Sequence, residues 1–93
     1  MPQASARHIL VESEVACTDL KERILRGESF ADLARSHSTC PSSERGGELG
    51  AFEPGQMVRE FDEIVFRERV GVVHGPVKTQ FGFHLIEITS RRP

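Results

Sequence analysis

Four histidines (His8, His37, His74 and His84) and two cysteines (Cys17 and Cys40) hold most of the reactive chemistry in this chain. His37 and Cys40 form an H-x-x-C pair. A zinc site wants four such ligands in paired local spacings; no second pair exists, so no metal is expected. A Cys40 thiol activated by His8 or His84 would describe a cysteine hydrolase. Such enzymes orient the imidazole with a carboxamide or carboxylate. The chain has no asparagine, and Asp19, Asp32 and Asp62 all fall on predicted helices. The plain reading of Cys40 is a small apolar residue. His8 and His84 suit a different arrangement. If their strands are neighbours, the two rings can exchange hydrogen bonds with each other or with Thr79, in a network that is either structural or functional. Met57, Phe61 and Phe81 stand near turns or element starts, as core or as the wall of a pocket. His37 and His74 read as exposed or capping side chains. Gly46, Gly47 and Gly50 are too irregular for a phosphate loop and read as turn chemistry.

The elements that must position these groups belong to a small chain. Ninety-three residues give one domain, residues 1–93, with one modest core. The formal net charge of −2 and pI near 6.1 argue against nucleic acid as a partner. No apolar run approaches the ~20 residues that span a bilayer. The Met-Pro-Gln-Ala-Ser-Ala start has no basic-then-apolar secretory pattern, so a cytoplasmic monomer is expected. Two cysteines cannot build a disulfide scaffold, and all six aromatics are phenylalanine.

Apolar periodicity places a strand over residues 6–11, with His8 and Leu10 on one face and Ile9 and Val11 on the other. A helix is predicted from Glu14 to Arg26, burying Cys17, Leu20 and Ile24 and stopping at Gly27. Ser29 and Asp32 form a capping box for a short helix that buries Phe30, Leu33 and Ala34 and ends near His37. Residues 38–50 read as a long surface loop, a feature usually kept for function. Ala51-Phe52 is a very short strand, and Pro54-Gly55 suits a type II turn. Arg59 to Arg67 is helical, with Phe61, Ile64 and Val65 inward. Residues 71–76 form a connection, and residues 77–79 and 83–89 form strands. The order β-α-α-β-α-β-β predicts an α+β fold with helices packed on an antiparallel sheet.

Five stretches, taken in order, resemble the parvulin family of peptidyl-prolyl cis/trans isomerases. They are His8-Ile9-Leu10-Val11, Phe30-Ala31-Asp32-Leu33-Ala34, Gly46-Gly47-Glu48-Leu49-Gly50, Gly55-Gln56-Met57-Val58 and Phe81-Gly82-Phe83-His84. The resemblance runs from about residue 6 to residue 90. It implies a four-stranded antiparallel sheet surrounded by helices, as in the parvulin and FKBP-like folds. It also implies that His8 and His84 are the family's paired histidines, networked through Thr79. Cys40 takes the central polar position of the site, where other members carry aspartate. Met57, Phe61 and Phe81 hold the substrate proline ring, Leu49 lines the site, and Gln56 has no catalytic role. Substrates would be proline-containing polypeptides, with no cofactor. One branch of the family needs a phosphorylated residue before proline and carries a basic cluster after its first strand. Here that region reads Val11-Glu12-Ser13-Glu14-Val15, which would repel a phosphate; Arg7 and Arg45 are isolated. With Phe52 and Leu49 expected on the pocket rim, an apolar residue before proline is favoured. The competing readings are a module that binds proline segments without turning them, and the hydrolase above.

Overall fold

The structure is a computed structural model, and it describes residues 2–93. Four strands, β1 (Gln3–Val11), β2 (Glu48–Phe52), β3 (Val73–Thr79) and β4 (Gly82–Arg92), form one antiparallel sheet in the order β2-β1-β4-β3. Three helices, α1 (Glu14–Leu25), α2 (Phe30–His37) and α3 (Arg59–Val65), flank it. The α+β class and the order of the elements agree with the sequence reading.

The central strands β1 and β4 alternate so that both faces are buried. On one face Ile9, Val11 and Leu85 pack against Cys17 and Leu20 of α1 and against Phe30, Leu33 and Ala34 of α2. On the other, Ala4, Ala6, Ile86 and Ile88 meet Phe61 and Val65 of α3, with Phe52. Each fully buried aliphatic side chain contributes about 2 kcal/mol relative to leaving it in water. His8 and His84 share the second face, because in both strands they alternate with the residues buried on the first.

Local chemistry starts the helices. The Ser13 hydroxyl accepts the Ala16 amide at the start of α1, and Ser29 accepts the Asp32 amide at the start of α2. Only this half of the expected capping box forms, since the Asp32 carboxylate pairs with Arg35 instead.

Three expectations need correction. Residues 38–50 are not a continuous loop: residues 41–45 form a 3-10 helix, and β2 begins at Glu48. Pro41 opens that helix and Gly46, at φ 68°, closes it in the left-handed conformation. The connection expected over residues 71–76 gives way to β3 at Val73. Phe52 is not on a pocket rim. Paired with Ala4, it is 3% exposed and packs edge-on against Phe66.

Candidate active site

Antiparallel pairing sets Leu10 opposite His84 and His8 opposite Ile86, so the two imidazoles sit diagonally on adjacent strands. Their Nδ1 atoms are 3.1 Å apart and the rings stack at 16°. Both are buried, at 4% and 3% exposure. The outer nitrogens also have partners. His8 Nε2 lies 3.2 Å from Ser42 Oγ, and His84 Nε2 lies 2.7 Å from Thr79 Oγ1. The Thr79 hydroxyl also accepts the Phe81 amide at 3.1 Å. A single chain of bonds therefore runs from the 3-10 helix, through both rings, to the turn between β3 and β4.

Proton counting constrains this chain. Exactly one hydrogen can occupy the Nδ1–Nδ1 contact, so in the neutral pair one ring donates there and the other accepts. If His8 donates, its Nε2 accepts from Ser42 and His84 Nε2–H donates to Thr79. If His84 donates, both outer bonds reverse. Burial favours the neutral rings. Desolvation, with His84 alongside, pushes His8 down to about 4, and desolvation holds His84 below its ordinary value, the Glu60 carboxylate opposing this.

Beside the pair opens a recess of about 350 Å³. Phe61 forms its floor, meeting His8 edge-on at 5.3 Å and His84 at 4.8 Å between centroids. Met57 and Val58, which lead into α3, line it together with Leu49, Leu10, Thr39, Cys40 and Pro41. Phe81 stands at the mouth, 59% exposed. Among the described residues, no Asp, Glu, Lys or Arg side chain lines the recess. The Met57 turn is fixed by Gln56, whose Oε1 accepts the Glu53 amide, and by Asp62, whose Oδ2 accepts the Gly55 amide. Gln56 thus holds the turn.

Seven residues singled out in the sequence (His8, Cys40, Leu49, Met57, Phe61, Phe81 and His84) surround this one recess. Thr79 stands behind His84 and does not line it. Among the described residues, no group of three or more His, Cys, Asp or Glu side chains is gathered tightly enough to hold a metal ion. His74 bonds the Arg69 carbonyl, and His37 lies exposed in the last turn of α2. Arg7 turns to the other face, where it pairs with Glu87 and lies 4.6 Å over the Phe30 ring. Sequence reasoning missed Ser42. Its signal was the run Pro41-Ser-Ser-Glu-Arg-Gly46, a short helix marked by Pro at its start and Gly after its end.

Gly47 brings β1 and this segment together. Its carbonyl accepts the His8 amide at 3.0 Å, and its φ is +89°. A Cβ there would run into the His8 carbonyl oxygen, so only glycine allows this approach beside the histidine pair.

An uncharged apolar recess beside two bonded imidazoles can receive an apolar ring and act on it by contact and field. Residues 2–92 match the PPIC-type PPIase domain. The foldase protein PrsA of Geobacillus sp. (strain WCH70) is 43% identical over 91 residues, which cover 97% of this chain and 33% of that protein. The chaperone SurA of Aromatoleum aromaticum is 41% identical over 101 residues, covering 99% of this chain and 23% of that one. Among solved structures, the peptidylprolyl isomerase PrsA from Bacillus anthracis superposes with a TM-score of 0.95 at 34% identity, covering 99% of this chain and 43% of that one. NmPin, the parvulin of Nitrosopumilus maritimus, gives 0.87 at 33%, covering 97% of this chain and 98% of that one. The chain spans about a third of the length of the PrsA relatives. It belongs to the PPIC-type, or parvulin, family of peptidyl-prolyl cis/trans isomerase domains.

Proposed function

We propose that the domain turns Xaa-Pro bonds in polypeptides without covalent chemistry and without a phosphate requirement. The observation that carries this reading is the recess itself, apolar at Phe61, Met57, Leu49 and Phe81, with an uncharged imidazole pair at its side. The barrier to rotation is loss of amide resonance, about 20 kcal/mol. In the twisted state the carbonyl gives up negative charge, so that state is less polar than the planar amide. A pocket free of formal charge offers the planar dipole little stabilisation and so favours the twisted form by difference. The phenylalanines and Met57 hold the pyrrolidine ring while the acyl side turns. An acceleration of about 10^5 needs only ~7 kcal/mol, and no step requires an attacking thiolate. Cys40 serves as a weak polar neighbour of the rotating bond.

The test is a cis/trans exchange measurement by NMR on an Ala-Leu-Pro-Phe peptide, with Phe61→Ala and Met57→Ala beside the unmodified chain. Accelerated exchange that both substitutions reduce supports the reading. Line shifts without faster exchange would leave a holding module instead. Against a phosphoserine-proline peptide, rates no higher than for its serine counterpart are expected, because Glu12 and Glu14 follow β1 where a phosphate would need cations.

A monomer is the oligomeric state proposed, and sedimentation checks this. Both cysteines are free, Cys17 sealed in the core and Cys40 on the recess. A reducing compartment suits them, so the cytoplasm is the proposed location, tested by cell fractionation.

A further inference from the structure

Past Arg7, β1 loses β2 as its neighbour, since the last paired residues are Arg7 and Glu48. Beyond it the outward backbone groups of β1 still need partners. Gly47 takes the His8 amide. The Leu10 amide donates to the Ser38 hydroxyl at 3.0 Å, and the Leu10 carbonyl accepts the Thr39 amide at 2.8 Å. The same Ser38 oxygen accepts the Cys40 amide at 3.4 Å. Two residues beyond Cys40, Ser42 reaches back to β1 through His8 Nε2. Cys40 is thus held between two serines, one on either side, and each is fastened to the strand segment that carries His8.

We infer that Ser38 and Ser42 are positioning residues for the isomerase reaction: together they clamp Cys40 and the wall from Thr39 to Pro41 against the His8 end of β1. This inference rests on the isomerase reading of the recess. Thr39, one residue before Cys40, is itself tied to β1 by its amide and its hydroxyl, both donating to the Leu10 carbonyl; the Cys40 amide donates to Ser38, and its carbonyl accepts the Ser43 amide within its own turn. Ser38 is also the C-cap of α2, its amide bonding the Ala34 carbonyl. That helix end therefore sets where the clamp begins. Serine suits the place because one hydroxyl oxygen can accept two amides at once. Threonine keeps that hydroxyl and is at home in the extended backbone that Ser38 adopts, φ −70° and ψ 134°.

The two free cysteines make the inference measurable. Cys17 is fully buried on the opposite face of the sheet and has a raised pKa of about 11, so its alkylation reports general loosening. Cys40 reports only the recess wall. For Ser38→Ala, which leaves both the Leu10 and the Cys40 amides without their acceptor, iodoacetamide should label Cys40 at least about fivefold faster and kcat/KM in peptide exchange should fall at least about fivefold, the factor expected for each lost hydrogen bond. Cys17 labelling should not change. Ser38→Thr should restore both values, and Ser42→Ala should repeat the Ser38→Ala pattern. Unchanged Cys40 labelling in Ser38→Ala overturns the clamp, and so does an equal rise at Cys17. An unmodified chain that fails to accelerate exchange overturns the isomerase reading instead, while the labelling result would still decide whether the wall is clamped.

Discussion

His8 and His84 meet through their Nδ1 atoms at 3.1 Å, a contact that holds one proton and never two. The relationship makes the site sensitive to acid. Both rings titrate below the ordinary histidine value in the folded chain, His8 at about 4. The unfolded chain therefore takes up protons first as pH falls. Stability is full above about pH 6.5 and is lost between there and pH 4; the His8 shift alone is worth about 3 kcal/mol. Urea titrations at intervals from pH 7.5 to 4.5 should show this decline. In His8→Gln the slope should flatten by about one proton's worth. A wild-type curve that stays level to pH 5 would contradict the buried neutral pair.

The two phenylalanines of the recess should separate stability from turnover. Phe61 is 3% exposed and packs against both imidazoles, Val65 and Ile86. Phe61→Ala is expected to cost about 3–5 kcal/mol and to abolish exchange activity. Phe81 is 59% exposed and donates its backbone amide, not its ring, to Thr79. Phe81→Ala should cost only about 0.5 kcal/mol, yet it should raise KM by removing one side of the ring-binding mouth. Denaturation midpoints and Michaelis parameters on the two variants provide the comparison. Equal stability losses would mean that Phe81 belongs to the core.

What the sequence could reveal followed the physics of each element. The helices carry apolar periods because each buries a stripe, and the two central strands carry short apolar runs because both of their faces are covered. β2 is an edge strand that exposes most of Glu-Leu-Gly-Ala and buries only Phe52, so it leaves no alternation to read. Its Gly50 and the preceding glycines resemble a turn. β3 carries Gly75-Pro76 in its middle, residues that ordinarily break a strand and are tolerated here because β3 lies at the sheet's other edge and the pairing register shifts between His74 and Val77. Histidines on the first and last strands could be suspected of meeting. Ser42 could not be tied to His8, because nothing local links positions 34 residues apart. The misplacement of Phe52 had the same origin: its side is set by pairing with Ala4, a long-range fact.

Gly47 should be among the least replaceable residues outside the recess. Gly47→Ala meets the His8 carbonyl and adopts a φ of +89° that alanine disfavours. The expected cost is about 2–4 kcal/mol. Exchange activity should fall further than the stability loss explains, because the His8 backbone must move and carry its ring off the Nδ1 contact. Imidazole 15N shifts of His8 and His84 would register that movement directly. A folded variant with wild-type shifts would show that β1 absorbs the methyl elsewhere.

Cys40 decides whether the chemistry is covalent. The thiol stands half-buried on the recess and, among the described residues, makes no hydrogen bond to either imidazole, whose ring nitrogens bond each other, Ser42 and Thr79. A nucleophile needs a base within hydrogen-bond reach. Cys40→Ser should keep exchange activity within a few-fold, and Cys40→Asp should remain measurably active, because a polar group of either kind can serve as neighbour to the rotating amide. An essential covalent step would lose activity by about 10^4 or more in both variants. Exchange rates on the two folded variants separate these outcomes, and collapse of both with folding intact would restore the attacking thiolate.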